Sequence, residues 1–271
     1  MRLAFVGKGG AGKSTIVGTF ARLLARTGRE VVAVDSDPMP GLSYGLGLPV
    51  VESPIPDDAV IEKAEGEDGP RYRLRPGLDA VSAIESFAAV GADGVRLLSF
   101  GKTRGAWGDI ARGQHAWSQI LDELPRGRFD LIGDLPGGTR QPLYGWGKYA
   151  DVIVIVVDPT PKSYATARRL ATLRDSRWSY RHVVAVANRV LQSGDMAAVA
   201  NATGLEVIGA LPLDPRVAAA DRLGVAPLDG ASDGPFVAAV AALVERCILQ
   251  FADPATELTT RLQNPPKEAV A

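Results

Sequence analysis

The sequence has 271 residues, 46% of them hydrophobic and 23% charged, which suits one large α/β domain with a sizeable core. Lysine and arginine total 30 against 31 acidic residues, a formal net charge of -1, and this argues against a broadly basic nucleic-acid binder while leaving room for a local patch. One cysteine rules out an intrachain disulfide framework; the longest apolar run, Val152 to Val157, is far too short to span a bilayer.

The N-terminus enters a strand at once, Leu3-Ala4-Phe5-Val6, without a signal peptide, so a soluble cytoplasmic protein is expected. The strand runs into Gly7-Lys8-Gly9-Gly10-Ala11-Gly12-Lys13-Ser14-Thr15. Ile16, Phe20, Leu23 and Leu24 follow at helical spacing, with Gly28 placed to end the helix. Strand, glycine-rich loop and helix give the context of a phosphate-binding loop, and Gly7-x-x-x-x-Gly12-Lys13-Ser14 fits its pattern. Glycines let backbone N–H groups converge on phosphate oxygens, and the helix N-terminus favours anions. Lys13 supplies a point charge for the β- and γ-phosphates, and the Ser14 hydroxyl can ligate Mg²⁺. Gly7-x-Gly9-x-x-Gly12, followed by Asp35, also satisfies the dinucleotide-binding fingerprint. Lys13-Ser14 has work in the first reading and none in the second.

Glu30 to Val34 is a second apolar strand, parallel to the first across a βαβ unit, and it ends at Asp35-Ser36-Asp37-Pro38. Carboxylates at the C-terminal end of a parallel strand face the crevice where ligands bind. Residues 39–76 read as irregular, interrupted by prolines and carrying an acidic insertion at Glu62–Gly69. Leu78 to Ser82 reads as a short strand. A glycine-rich stretch from Phe100 to Gly108 leads into a helix bearing Trp117, Ile120, Leu121 and Leu124 on one face. Phe129 to Gly133 is a strand ending at Asp134-Leu135-Pro136-Gly137-Gly138, where a carboxylate can reach Mg²⁺ through water and glycines can respond to a γ-phosphate. Asp151 to Val157 reads as a fully buried strand ending at Asp158-Pro159, and Ser163 is a candidate N-cap for the next helix. Val183 to Ala187 ends at Asn188-Arg189; a strand from Glu206 leads to Pro212-Leu213-Asp214. Pro235 to Phe251 reads as a last packed helix, with Cys247 acting as a small apolar residue on its inner face. Residues 1–252 are expected to form one domain and 253–271 a tail without an amphipathic stripe. The expected fold is one α/β domain with a mostly parallel, twisted sheet and helices on both faces.

Lys8 points further. A plain phosphate-binding loop does not require a lysine after its first glycine. The segment Gly7 to Thr15 closely resembles the deviant Walker A motif of the MinD/ParA class of ATPases. The resemblance implies ATP and Mg²⁺ as cofactors and a homodimer gated by ATP, in which Lys8 reaches the partner's nucleotide. It also implies that Asp37 orients the attacking water, that Asp35 holds a Mg²⁺-bound water, and that Asp134 and Gly138 belong to the Asp-x-x-x-Gly switch. Gly9, Gly10, Ala11, Gly12, Lys13, Ser14 and Thr15 would cradle the phosphates. Asn188 would hydrogen-bond the adenine, with Pro212 and Asp214 beside the base. Lys8, Lys13 and Asp37 would be catalytic.

Within the class, Asp158-Pro159 followed by Thr166-Ala167-Arg168-Arg169 looks most like the nickel-insertion accessory ATPases of carbon monoxide dehydrogenase (CooC-type), which act on a client protein. Those carry a Cys-x-Cys pair after a glycine-rich stretch, and the matching region here, 101–114, has no cysteine. With only Cys247, His115 and His182, a soft-metal or iron–sulfur site is poorly supplied. His115 reads as a surface residue. Membrane anchoring is not expected, since 255–271 lacks an apolar helical face. Two rivals remain: a ParA-like DNA-partitioning ATPase using Arg168, Arg169, Arg174, Arg177 and Arg181, for which no binding at physiological salt is expected, and a non-hydrolysing nucleotide-dependent interaction protein.

Overall fold

Runs of valine, isoleucine and leucine with no polar alternation can be satisfied only in strands covered on both faces. The computed structural model describes residues 1–37, 41–51, 55–100 and 107–252, and these runs form its sheet. In chain order the elements are β1 (Arg2–Gly7), α1 (Lys13–Ala25), β2 (Glu30–Asp35), α2 (Leu42–Gly45), β3 (Val60–Glu62), β4 (Tyr72–Leu74), α3 (Ala80–Phe87), β5 (Ala89–Val90), β6 (Arg96–Ser99), α4 (Trp107–Glu123), β7 (Phe129–Asp134) and α5 (Arg140–Leu143). They continue with β8 (Val152–Val157), α6 (Pro161–Ala171), β9 (His182–Val190), α7 (Asp195–Thr203), β10 (Val207–Pro212), α8 (Pro215–Arg222), α9 (Pro227–Gly230) and α10 (Pro235–Phe251).

Eight strands make one sheet in the order β10-β9-β8-β1-β7-β2-β6-β5. All its pairings are parallel except that of the edge strand β5 with β6. This is the mostly parallel α/β fold expected. β1 and β2 are parallel but not neighbours: β7 lies between them, with Asp35 in register with Asp134. Successive side chains on β1 go to opposite faces. Leu3 and Phe5 pack with Ile16, Phe20, Val240 and Leu243 under α1 and α10, while Ala4 and Val6 pack with Trp117, Ile120 and Leu170 under α4 and α6. Phe5 and Phe20 meet edge to face at 5.7 Å between centroids. Cys247 is fully buried in the first of these layers, as expected.

Three local expectations change. Leu78–Ser82 is not a strand: Asp79 Oδ1 accepts from Ser82 N–H at 2.7 Å, caps α3, and lets Ala80, Ala83 and Ile84 face the core at helical spacing. Helix α6 begins before Ser163, at Pro161, whose fixed φ suits the first helical position; Ser163 Oγ instead accepts from Asp158 N–H. The stretch 39–76, read as irregular, contains α2 and a small antiparallel hairpin of β3 and β4. The acidic insertion joins the two strands of that hairpin, and its Glu62 and Glu67 pair with Arg71 and Arg73. The expectations for 253–271 and for the start of the glycine-rich stretch, 101–106, lie outside the described residues. No helix among the described residues is long and apolar enough to cross a membrane.

Candidate functional site

β1 is central and ends at Gly7, so the loop 7–12 emerges where its neighbours β7 and β8 also end. Gly12, at φ +88°, occupies a left-handed conformation immediately before α1. A Cβ there would meet Asn188 Nδ2 at 2.6 Å, so only glycine fits both the backbone and the space. Ala11 N–H donates to Lys8 O at 3.2 Å and curls the loop. The first N–H groups of α1, at Lys13, Ser14 and Thr15, have no acceptor within the helix and are presented to an anion.

Five charged residues, Lys13, Asp35, Asp37, Asp134 and Asp158, meet beneath this loop. Lys13 is 7% exposed, and its Nζ lies 3.4 Å from Lys8 O. Burial lowers its pKa, and the charges of Asp134, Asp37 and Asp158 work in the opposite direction. Asp134 is pushed up to about 7, first by burial and then by Asp35, against the hydrogen bond from Ser14 and the charge of Lys13. Its Oδ1 is buried with no hydrogen-bond partner among the described residues. Burial also raises Asp35 to about 6, although it accepts N–H bonds from Asp37 at 2.9 Å and Leu42 at 3.2 Å.

Two buried carboxylates held close to neutrality, one with an orphaned oxygen, beside a serine hydroxyl, form a donor set that fits Mg²⁺. No group of three or more His, Cys, Asp or Glu among the described residues could hold a metal ion alone. Burial pushes the Cys247 thiol up to about 12, so the single cysteine offers no thiolate.

The segment after β7 closes over the loop. Gly138 N–H donates to Gly7 O at 2.9 Å, and a Cβ on Gly137 would stand 2.5 Å from Gly9 Cα. Lys8 is half-buried and its Nζ donates to the adjacent Gly9 O at 3.1 Å. On the other side of the loop a cavity of about 160 Å³ is lined by Gly12, Thr15, Asn188, Pro212, Leu213 and Asp214, the size and place for a base. Asn188 is buried, and its Nδ2 donates to Ala11 O at 2.7 Å, tying β9 to the loop. Asp214 caps α8 through Arg216 N–H and pairs with the Arg216 side chain. A separate recess bounded by Met1, Arg126, Asp151 and Arg181 lies at the opposite ends of the strands.

The structure thus brings Lys8, Gly9, Gly10, Ala11, Gly12, Lys13, Ser14, Thr15, Asp35, Asp37, Asp134, Asn188, Pro212 and Asp214 to one end of the sheet. His115 is exposed against Tyr72, away from them. The arginines proposed for DNA are partly engaged: Arg168 bonds Ala202 O, Arg177 lies over Trp178, and Arg181 pairs with Asp151. Two residues given no role from the sequence also stand at the site. Asp158 ends the strand beside β1, a placement that could have flagged it; Arg189 depends on a backbone irregularity that leaves no trace in residue type.

A parallel sheet with this loop at the end of its central strand defines a P-loop nucleotide-binding domain. Residues 3–228 match the CobQ/CobB/MinD/ParA nucleotide binding domain, and the chain belongs to that family. It is 30% identical over 260 residues to the carbon monoxide dehydrogenase accessory protein CooC of Rhodospirillum rubrum, covering 91% of this chain and 97% of that one. It is 27% identical to an uncharacterized ATP-binding protein of Methanocaldococcus jannaschii over 83% of this chain and 90% of the relative. Its fold is similar to that of the septum site-determining protein MinD of Pyrococcus horikoshii, solved with Mg-ADP, at TM-score 0.68 and 18% identity over 93% and 98% of the two chains.

Proposed function

We propose that the protein is a Mg²⁺-dependent ATPase that works as an ATP-gated dimeric switch and serves as an accessory factor for a client protein. Lys8 carries this reading. It is a cation at the rim of the loop whose ammonium meets only the neighbouring carbonyl of Gly9 among the described residues. Its own loop already has Lys13 for the phosphates. A second nucleotide, bound face to face on another copy, gives Lys8 a counter-charge, as an arginine finger has in trans. Lys13 and the backbone of the loop would hold the phosphates, Ser14 with Asp134 and Asp35 would hold Mg²⁺ partly through water, and Asp37 would orient the attacking water. When bound, Mg²⁺ supplies charge neutralisation at the β- and γ-oxygens. Asn188, Pro212 and Asp214 would frame the adenine.

The hydrogen bond between Gly138 and Gly7 supports a switch, because a γ-phosphate reaching this junction must bear on both segments. ATP would favour the closed dimer by contacts made only there, and loss of the γ-phosphate would let it open. The accessory role rests on likeness to CooC. With one buried cysteine in the sequence, assistance to the client would not run through a thiolate pair.

The test is sedimentation of Asp37→Ala with ATP, ADP and no nucleotide. Dimer should accumulate with ATP alone, and adding Lys8→Ala should remove that gain while nucleotide binding persists. Equal dimer fractions in all three samples would reject gating.

A further inference from the structure

Asp158 is a buried carboxylate that the proposed chemistry leaves without a task. It follows the last residue of β8, whose Val156 is in register with Gly7, so it stands beside the phosphate loop. Its side chain is 8% exposed, its Oδ1 has no hydrogen-bond partner among the described residues, and its charge acts on Lys13. A polyphosphate arriving on the loop would bring several more negative charges to this point. Asp158 therefore needs a cation of its own, distinct from Lys13.

Arg189 is placed to supply it, at a visible cost to the backbone. The pairing of β9 with β10 runs Asn188 to Leu211 and then Val190 to Pro212, so Arg189 is an extra residue in a bulge. Its φ is +55°, one of three non-glycine residues with positive φ among those described. Bulges next to functional sites re-aim a side chain, and strain of this kind persists only where the surroundings over-determine it. Here the bulge lets Asn188 turn inward to Ala11 while Arg189 Nη1 reaches to 3.4 Å from Asp158 Oδ2. The separation is long for a charged pair, leaving it room to tighten. Arg189 also lines the base cavity, so one residue touches both ends of the nucleotide site.

We propose that Arg189 is a charge-balancing positioning residue: it neutralises Asp158, which lets a carboxylate remain beside the phosphate loop when a nucleoside triphosphate binds. This rests on the nucleotide reading above. Removing the cation alone leaves Asp158 buried and unpaired against the phosphates, and the penalty is larger for ATP than for ADP because ATP carries more charge. Removing both charges lifts it.

The experiment measures ATP and ADP affinity by calorimetry, with Mg²⁺, for the full chain and three variants. Arg189→Gly should weaken ATP by roughly tenfold and ADP by about threefold, a modest effect because only Asp158 of the pair is buried while the Arg189 side chain is 49% exposed and partly screened by solvent. Glycine suits φ +55°, which offsets part of the cost of leaving Asp158 unpaired, so the nucleotide-free variant should stay folded with a cooperative melt, and the melt separates a binding defect from misfolding. Arg189→Lys should keep most of the affinity. Arg189→Gly with Asp158→Asn should return ATP affinity to within about threefold of the parent. Parent-like ATP affinity in Arg189→Gly would overturn the inference and leave the nucleotide reading intact. A double variant as weak as Arg189→Gly would also overturn it, since Arg189 would then act on the nucleotide directly. A parent that binds neither nucleotide would sink both readings.

Discussion

Replacing Asp134 with asparagine should stabilise the nucleotide-free protein while destroying the function proposed for the site. Asp134 is 3% exposed, and burial with the nearby Asp35 raises its pKa from 3.8 to about 7. At about 1.36 kcal/mol per pH unit, the ionised form costs the native state roughly 4 kcal/mol as an upper bound. The native state holds this proton more tightly than the unfolded chain, so the contribution to stability falls as pH rises from 3.8 through 7. Asparagine removes the charge and can still accept from Ser14. Its amide, however, takes the place of an oxygen that lacks a partner, and an unsatisfied donor costs about 1–3 kcal/mol. The net gain at pH 8 is then at most on the order of 1–3 kcal/mol, roughly 3–9 °C in Tm for a domain of this size. At pH 5 only about 1–2 kcal/mol of this penalty has accrued relative to the unfolded chain, comparable to the cost of the unsatisfied amide, so the gain should vanish or reverse. Thermal melts of both proteins at pH 5 and pH 8, without nucleotide or Mg²⁺, read this directly. A variant whose advantage is the same at both pH values, or absent at pH 8, refutes the electrostatic account of Asp134.

The remaining expectations concern ligand and switch. Lys13→Ala should abolish nucleotide binding in calorimetry, whereas Asp37→Ala should bind ATP and fail to turn it over; parent-rate hydrolysis by Asp37→Ala would remove it from the chemistry. Mg²⁺ requires ionised carboxylates, so Mg²⁺-dependent nucleotide affinity should fall as pH drops from 8 through about 7 to 6, the values to which Asp134 and Asp35 are raised. A pH-independent Mg²⁺ affinity across that window would mean these groups do not face the ion. Gly137→Ala should leave the fold intact but push the segment after β7 off the loop, because its Cβ would stand 2.5 Å from Gly9 Cα; the cost, about 1–3 kcal/mol of overpacking, should appear as slower turnover, and a parent-like rate would show that this contact is idle. Retention of a non-specific duplex at physiological salt is not expected, since Arg168, Arg177 and Arg181 have intramolecular partners, and an ATP-dependent gel shift would contradict that.

Sequence and structure agree best where one residue type has one physical solution. Continuous apolar runs such as Val152–Val157 admit only a doubly covered strand, and Gly12-Lys13-Ser14 after such a strand admits few sites other than one for phosphate. Agreement fails where a short segment offers two periods. Leu78–Ser82 alternates like a strand, but Asp79 is also a cap, and the tertiary contacts of Ala83 and Ile84 decide for helix. Strand β6 is short, four residues between a turn and Phe100, and its burial against β2 is set by partners far away in the chain. The bulge at Arg189 is less legible still. It arises from the mismatch of two strands, and no single residue announces it.

The order of the strands explains why so few residues suffice for the site. β1 lies between β7 and β8, so the loop it feeds is flanked at once by Asp134 on one side and Asp158 on the other. One strand further out, β2 brings Asp35 into register with Asp134, and β9 brings Asn188 back to Ala11. Each carboxylate or amide therefore needs only to end its own strand, and the parallel register does the positioning. The same geometry sets the electrostatic difficulty. Parallel strands ending in acidic residues gather negative charge where the ligand is itself an anion, and Lys13 alone is outnumbered. On the proposed reading, Mg²⁺ on the β7 side and Arg189 on the β8 side would be the two means of balancing it. A nucleotide bound without Mg²⁺ should for this reason depend more strongly on Arg189 than one bound with it.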